Sequence, residues 1–122
     1  MIKATPIPPL SEDTRGYTAE FENTRTGKHL IVFRKAGSVS GRHYHKGGSA
    51  TKNPEILLLL NGTCTFNSKH IDDTEITTAE YTGPVRFEIP PYIWHELIPV
   101  TDCTFLEQNS VEEHASDTYR LD

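Results

Sequence analysis

The sequence is short of apolar residues. Only 35% of its 122 residues are hydrophobic and its mean hydropathy is −0.51. Leu, Ile, Val and Phe together make 28 residues, just above the roughly 20% of a chain below which folding gives way to disorder. One modest core can therefore form, and the length matches the roughly 100–200 residues of a single domain. We expect one domain over 1–122. The longest apolar run, Ile56-Leu57-Leu58-Leu59-Leu60, falls far short of the roughly 18 residues a spanning helix needs, which argues against a membrane partner. The N-terminal stretch Met1–Pro9 has no apolar region and holds three prolines, so it does not read as a secretory signal and a cytoplasmic location is expected.

Basic residues are also scarce. Twelve Lys and Arg stand against seventeen Asp and Glu, for a net charge of −5. No basic stripe marks a nucleic-acid partner. Cysteine is limited to Cys64 and Cys103, with no C-x-x-C spacing, so two reduced thiols packed as small hydrophobes are expected. Asn61-Gly62-Thr63 fits the glycosylation pattern, but without a secretion signal we give it no weight. Alanine is rare as well, with six residues against fifteen Thr, nine Ile and five Val. That imbalance favours strands over helices, because β-branched side chains lose little freedom on a pleated surface.

What is present is a series of short apolar stretches separated by turn residues. Strands are expected at 17–22, 29–34, 39–45, 55–60, 63–67, 75–78, 85–89, 94–99 and 104–108. Asn61-Gly62 reads as a hairpin turn between two of them. Many short strands at this spacing indicate an all-β sandwich or barrel. Only the tail looks helical, because Ser110-Val111-Glu112-Glu113 fits a capping box. Alternation puts Glu55, Leu57 and Leu59 on one face of their strand and Ile56, Leu58 and Leu60 on the other. A strand apolar on both faces is covered on both sides, either within the chain or at a dimer seam.

The chemistry concentrates in histidine. His43-Tyr44-His45 places two imidazoles on one strand face, about 7 Å apart, close enough to hold one divalent ion. Around them the sequence reads Gly37-x5-His43-x-His45-x9-Glu55-x6-Gly62, followed by Gly83-x6-Pro90-x-Tyr92-x2-His95. This resembles the two-motif signature of the cupin superfamily, G-x5-H-x-H-x(3,4)-E-x6-G and G-x5-P-x-G-x2-H-x3-N. The first motif spans about 37–62 and the second about 83–99.

The resemblance implies a double-stranded β-helix, or jelly-roll barrel, with a short C-terminal helical tail. It also implies a divalent metal ion (Fe, Mn, Ni, Co, Cu or Zn) on His43, His45, Glu55 and His95. Four departures stand out. The gap before Glu55 is nine residues, the first glycine of the second motif is one residue further from Pro90, Tyr92 replaces a glycine, and Pro99 stands where an Asn is common. The long gap leaves two ligand sets open, one with Glu55 and one of three imidazoles alone. His29, His70 and His114 match no ligand position and are expected at the surface.

The inserted segment Lys46-Gly47-Gly48-Ser49-Ala50-Thr51-Lys52 reads as a flexible loop at the pocket mouth. With Arg42 it would offer cations to a small anionic ligand, which makes Arg42, Lys46, Lys52 and Tyr92 candidate substrate contacts. Three functions stay open at this stage. The first is a metal-dependent enzyme acting on a small molecule. The second is a nucleotide-sugar isomerase or epimerase, since Arg42-His43-Tyr44-His45 is similar to stretches in the cupin domains of deoxysugar and capsule-sugar enzymes. There His43 or His45 would work with Tyr92 as acid and base. The third is a non-enzymatic small-ligand binding module. Membership of the superfamily further implies a homodimer.

Overall fold

The short apolar stretches do form strands, and their order is set by corners rather than by hairpins. The computed structural model describes residues 1–121. Its elements are β1 (Lys3–Pro6), β2 (Ser11–Asp13), β3 (Gly16–Thr18), β4 (Leu30–Arg34), β5 (Ser40–His43), β6 (Glu55–Asn61), β7 (Thr63–His70), β8 (Thr77–Thr82), β9 (Val85–Ile89), β10 (Ile93–Pro99), β11 (Cys103–Glu107) and α1 (Val111–Ser116). A five-stranded sheet runs β1-β9-β6-β11-β4 and packs on a four-stranded sheet β5-β10-β7-β8, with β2 and β3 as a separate ribbon. The strand pairings are antiparallel. Two antiparallel sheets with a short C-terminal helix are the jelly roll that the motifs implied.

Asn61-Gly62 is not a hairpin turn. β6 pairs with β9 and β11, while β7 pairs with β8 and β10, so the chain changes sheets at Gly62. The corner is tight: Gly62 sits at φ +102°, and a Cβ there would lie 2.3 Å from the Asp102 carbonyl oxygen. Only glycine fits such an approach. Gly83 turns the neighbouring corner and donates its N–H to the Gly62 carbonyl at 2.9 Å. Asn-Gly signals reversal but not which sheet the next strand joins, and here the apolar residues of β6 and β7 gain more by facing each other across the barrel.

Other boundaries also shift. The strand expected at 75–78 begins at Thr77, the one expected at 17–22 is reduced to Gly16–Thr18, and β1 and β2 had no strong apolar signal. β1 is an edge strand that ends on Pro6, a place where a missing N–H costs no ladder bond. The helix begins where expected. Ser110 caps it, its side chain accepting from Glu113 N–H while the Glu113 carboxylate accepts from Ser110 N–H.

The core lies between the sheets and joins Leu57, Leu59, Phe66, Phe87, Ile89, Leu97 and Phe105. Cys64 and Cys103 belong to it as free thiols, and burial pushes the Cys64 thiol up to about 12. Ile56 and Leu58 on the opposite face of β6 are buried too. The 19–29 stretch is pinned by Arg25, which donates to the Thr51 and Pro54 carbonyls at 2.6 and 2.5 Å, and by Asn23, which accepts from Gln108. The chain's own segments therefore close this strand.

Candidate functional site

One end of the barrel is polar inside, and the first cause is a bulge. The pairing of β5 with β10 shifts register between His95 and Glu96. Opposite it, Gly41 and Arg42 both take left-handed backbone, at φ +84° and +60°. A Cβ at Gly41 would lie 2.8 Å from the His95 carbonyl oxygen, so glycine permits the close contact. A bulge of this kind re-aims the next side chain, here His43. The strain of a left-handed Arg42 sits immediately beside the site, where such strain is commonly stored.

Four predicted residues converge. The ring centroid of His43 lies 5.0 Å from that of His45 and 4.8 Å from that of His95. Glu55, first residue of β6, places one carboxylate oxygen 3.3 Å from His45 Nε2 and the other 3.3 Å from His95 Nε2. His45 Nδ1 lies 2.6 Å from the Asp117 carbonyl and His95 Nδ1 3.0 Å from the Ile93 carbonyl. A carbonyl only accepts, so both rings carry their proton on Nδ1 in the neutral form and present a bare Nε2 to Glu55. His45 Nε2 is buried without a hydrogen-bond partner. Burial, reinforced by His95 and His45, pushes the His43 imidazole down to about 2, so it is neutral at physiological pH. Burial also works against the Glu55 carboxylate. The close His45 and His95 rings and the charge of Lys52 outweigh it and hold the group well below its ordinary range.

The inserted segment behaves differently from the sequence expectation. Lys52 is not at the mouth of the pocket but fully buried, at 0% exposure. Its Nζ donates to Glu55 Oε2, to Asn109 Oδ1 at 2.9 Å and to Glu107 Oε1 at 3.0 Å. The loop is stitched down because the Asp117 carboxylate accepts from Lys46 N–H at 2.9 Å and Ser49 N–H at 3.1 Å, and Thr51 donates to Glu113. Three buried oxygens can be satisfied by one ammonium, and this draws the lysine inward.

Lys46 and Tyr92 also lie outside the cavity. Lys46 Nζ sits 4.1 Å from the centroid of the Tyr119 ring. Tyr92 is 40% exposed, stacks on Tyr44 and takes φ +65° at the position where the motif has glycine. That backbone turns its ring outward, away from the imidazoles. Arg42 stays at the rim, paired with Glu96 at 2.6 Å.

Sequence reasoning also missed the tail. His114 is half-buried and turned toward the histidine cluster. Its ring lies 5.2 Å from that of His43 and its Nδ1 3.1 Å from Glu107 Oε1. Tyr44 and Tyr119 exchange backbone hydrogen bonds of 2.9 Å, which folds the tail back over β5. Glu107, Asn109, His114 and Asp117 carry no motif. Their one local signal is a polar run placed directly after an apolar strand.

The result is a cavity of about 120 Å³, lined by residues that include His43, Glu55, His95, Glu107 and His114. It shares Arg34, Ser40, Gly41, His43 and His114 with an outer recess of about 410 Å³ that adds Arg42 and Arg120. The donors suit two kinds of chemistry. Neutral imidazoles with fixed tautomers can pass protons, and bare Nε2 atoms around a carboxylate can hold a cation.

No protein-family model matches the sequence, and no curated protein matches it. Solved structures do. The sugar 3,4-ketoisomerase QdtA from Thermoanaerobacterium thermosaccharolyticum, in complex with TDP, is 20% identical with a TM-score of 0.72, over 98% of this chain and 88% of its own. The dTDP-6-deoxy-D-glucose-3,5-epimerase RmlC from Legionella pneumophila, in complex with dTDP-4-keto-L-rhamnose, is 14% identical with a TM-score of 0.68, over 98% and 72%. The capsular polysaccharide assembling protein CapF from Staphylococcus aureus is 25% identical with a TM-score of 0.60, over 94% of this chain but 34% of its own. These likenesses show the fold: the chain is an RmlC-like jelly-roll barrel.

Proposed function

We propose that this chain is an enzyme of the nucleotide-sugar ketoisomerase or epimerase type, moving a proton at a carbon beside a sugar ketone. The observation that carries the reading is the two-part pocket. The inner cavity of about 120 Å³ has room for the reacting end of a sugar and not for a nucleotide. The outer recess of about 410 Å³ offers Arg34, Arg42 and Arg120 to whatever follows it. A guanidinium forks onto phosphate oxygens with two parallel hydrogen bonds, so a diphosphate in the recess would leave its sugar beside His43. The reading is supported by the likeness of the fold to a ketoisomerase that was solved, as a histidine-to-asparagine variant, with TDP-4-keto-6-deoxyglucose.

In this reading His43, neutral through burial, accepts or returns a proton. His45 and His95 hold the Glu55 carboxylate in place, and Arg34 and Arg120 orient the diphosphate. Incubation with dTDP-4-keto-6-deoxyglucose in D2O, followed by proton NMR, tests it. Deuterium should enter carbons beside the ketone, and H43N should stop it. Absence of both exchange and dTDP binding in the wild-type protein overturns the reading.

A second reading rests on the bare Nε2 atoms of His45 and His95, each 3.3 Å from a Glu55 oxygen. Lone pair against carboxylate calls for a proton or a cation between them. The donor set therefore fits a divalent ion, which His43, His45, His95 and Glu55 would hold. Such an ion would supply Lewis-acid polarisation of the ketone oxygen. Lys52 favours the first reading, because Glu55 already faces its ammonium. Turnover that survives EDTA separates the two.

A homodimer belongs to the same proposal. β4 is a sheet edge with Ile31 80% exposed and Phe33 beside it on the same face, and an antiparallel second copy of β4 would cover both. Sedimentation velocity checks it, with a monomer at micromolar concentration as the contrary result.

A further inference from the structure

We propose that His114, oriented by Glu107, is a second proton-transfer residue of the reaction proposed above, on which this inference rests. His114 belongs to α1, outside both histidine motifs, yet it borders the inner cavity and the arginine-lined recess alike. A sugar attached to a diphosphate in the recess has to pass it. His43 faces it at 5.2 Å between ring centroids, so the two imidazoles flank one volume.

Its tautomer follows from donor counting. Lys52 has three N–H bonds, and three oxygens take them: Glu55 Oε2, Glu107 Oε1 and Asn109 Oδ1. None remains for His114 Nδ1, although that nitrogen lies 3.0 Å from Nζ. His114 Nδ1 lies 3.1 Å from Glu107 Oε1, so with the Lys52 hydrogens taken we assign the ring proton to Nδ1, facing that carboxylate. Nε2, on the other side of the ring, is left with its lone pair. A carboxylate behind an imidazole in this way fixes ring and tautomer and stabilises the imidazolium that forms. Glu107 is thus a positioning residue, and His114 the catalytic one.

The step balances without any outside oxidant. The C–H bond of the hydroxyl-bearing carbon beside the ketone breaks, its proton moves to Nε2, and its electrons form a C=C bond while the carbonyl π pair moves onto oxygen, giving an enediolate. Return of the proton to the former carbonyl carbon, with the neighbouring hydroxyl proton passing to the enediolate oxygen, leaves the ketone on the neighbour. One carbon is oxidised and the other reduced within the sugar. Return to the original carbon from the opposite face would give the epimer.

The test uses the full chain and dTDP-4-keto-6-deoxyglucose in D2O. We expect H114Q to slow exchange by about 100- to 10,000-fold, the usual worth of a placed acid or base. Its affinity for dTDP should stay within about threefold of wild type, since the residue acts in the transition state and not in binding. Free imidazole should restore exchange to H114A, an effect no structural role produces. Nitrogen-15 NMR of the wild-type protein should find His114 protonated on Nδ1 and bare on Nε2, and E107Q should disturb that state. The NMR measurement decides the matter even if the variants do not fold. The opposite tautomer, or exchange in H114Q within about tenfold of wild type, overturns the proposal and leaves the keto-sugar reading standing. A wild-type protein that neither exchanges nor binds dTDP overturns that reading, and this inference with it.

Discussion

Replacing Lys52 with Met removes the cation that faces two carboxylates, Glu55 buried and Glu107 half-buried, and its cost can be worked from the contacts. Lys52 is fully buried and its Nζ meets Glu55, Glu107, Asn109 and His114. Breaking a buried ion pair by deleting one partner costs about 3–5 kcal/mol, because the other charge is left uncompensated. Here two carboxylates are left, so the upper part of that range applies. With a melting shift of roughly 3–5 °C per kcal/mol for a chain of this size, K52M should melt about 12–25 °C lower.

The pH dependence should change as well. In the wild-type protein burial acts to raise Glu55 and Glu107. The close histidine rings and the charge of Lys52 more than reverse this, and both groups lie below the ordinary carboxylate range. Their contribution is complete above the unfolded value and is lost only as pH falls through the lower folded values. Between pH 7 and 5 they should leave stability flat. In K52M desolvation goes largely unopposed, the folded values rise, and stability should increase as pH falls over that window. Guanidinium titrations at pH 7 and 5, with chelator present so that no metal ion replaces the ammonium, measure both effects. A loss below about 1 kcal/mol at pH 7 would place the pair among surface ion pairs. That loss, or a flat pH profile in the variant, would refute the account of Lys52.

Other expectations follow from single contacts. D117A leaves the N–H groups of Lys46 and Ser49 without their acceptor and should cost about 2–3 kcal/mol in chemical denaturation. Hydrogen bonds from Lys46 and Ser49 hold the Asp117 carboxyl below its ordinary value against burial, so this stabilisation should fade only in acid, as pH drops through the lowered value. G62A forces a Cβ to within 2.3 Å of the Asp102 carbonyl oxygen at φ +102°. It should lower stability by more than the roughly 1 kcal/mol of an ordinary glycine effect, measurable by calorimetry. F87A opens a cavity at a ring that is 1% exposed and should cost about 3–5 kcal/mol by the same assay. R34A and R120A should each weaken dTDP binding by about tenfold or more in titration calorimetry, with an effect that shrinks as salt is added.

Much of the barrel was legible because its signals are local. Alternation in Glu55–Leu60 already separated the face that meets Phe87 and Ile89 from the opposite face, where Ile56 and Leu58 are also buried. The H-x-H pair put two imidazoles on one strand face, and the resemblance of the two motifs implied that Glu55 and His95 join them. The Ser110 capping box placed the helix to the residue. Each of these depends on neighbours within about one turn or one strand, where backbone geometry links sequence spacing to direction in space.

The residues that were misread depend on distant partners. Asn61-Gly62 looks the same whether the chain returns to its own sheet or crosses to the other, and only burial across the whole barrel chooses. Lys52 on a glycine-rich loop reads as a solvated tip until Glu107 and Asn109 arrive from β11 and its exit. His114 reads as a surface histidine until Tyr119 pairs with Tyr44 and folds α1 over the cavity. Local pattern was enough for the strand-rich class, the apolar faces and the His43–His45 pair, and the motif resemblance implied Glu55 and His95 beside them. Tertiary structure alone decided which charges go inside, because a charge is stable in the interior only where several oxygens or nitrogens from remote strands meet it at once.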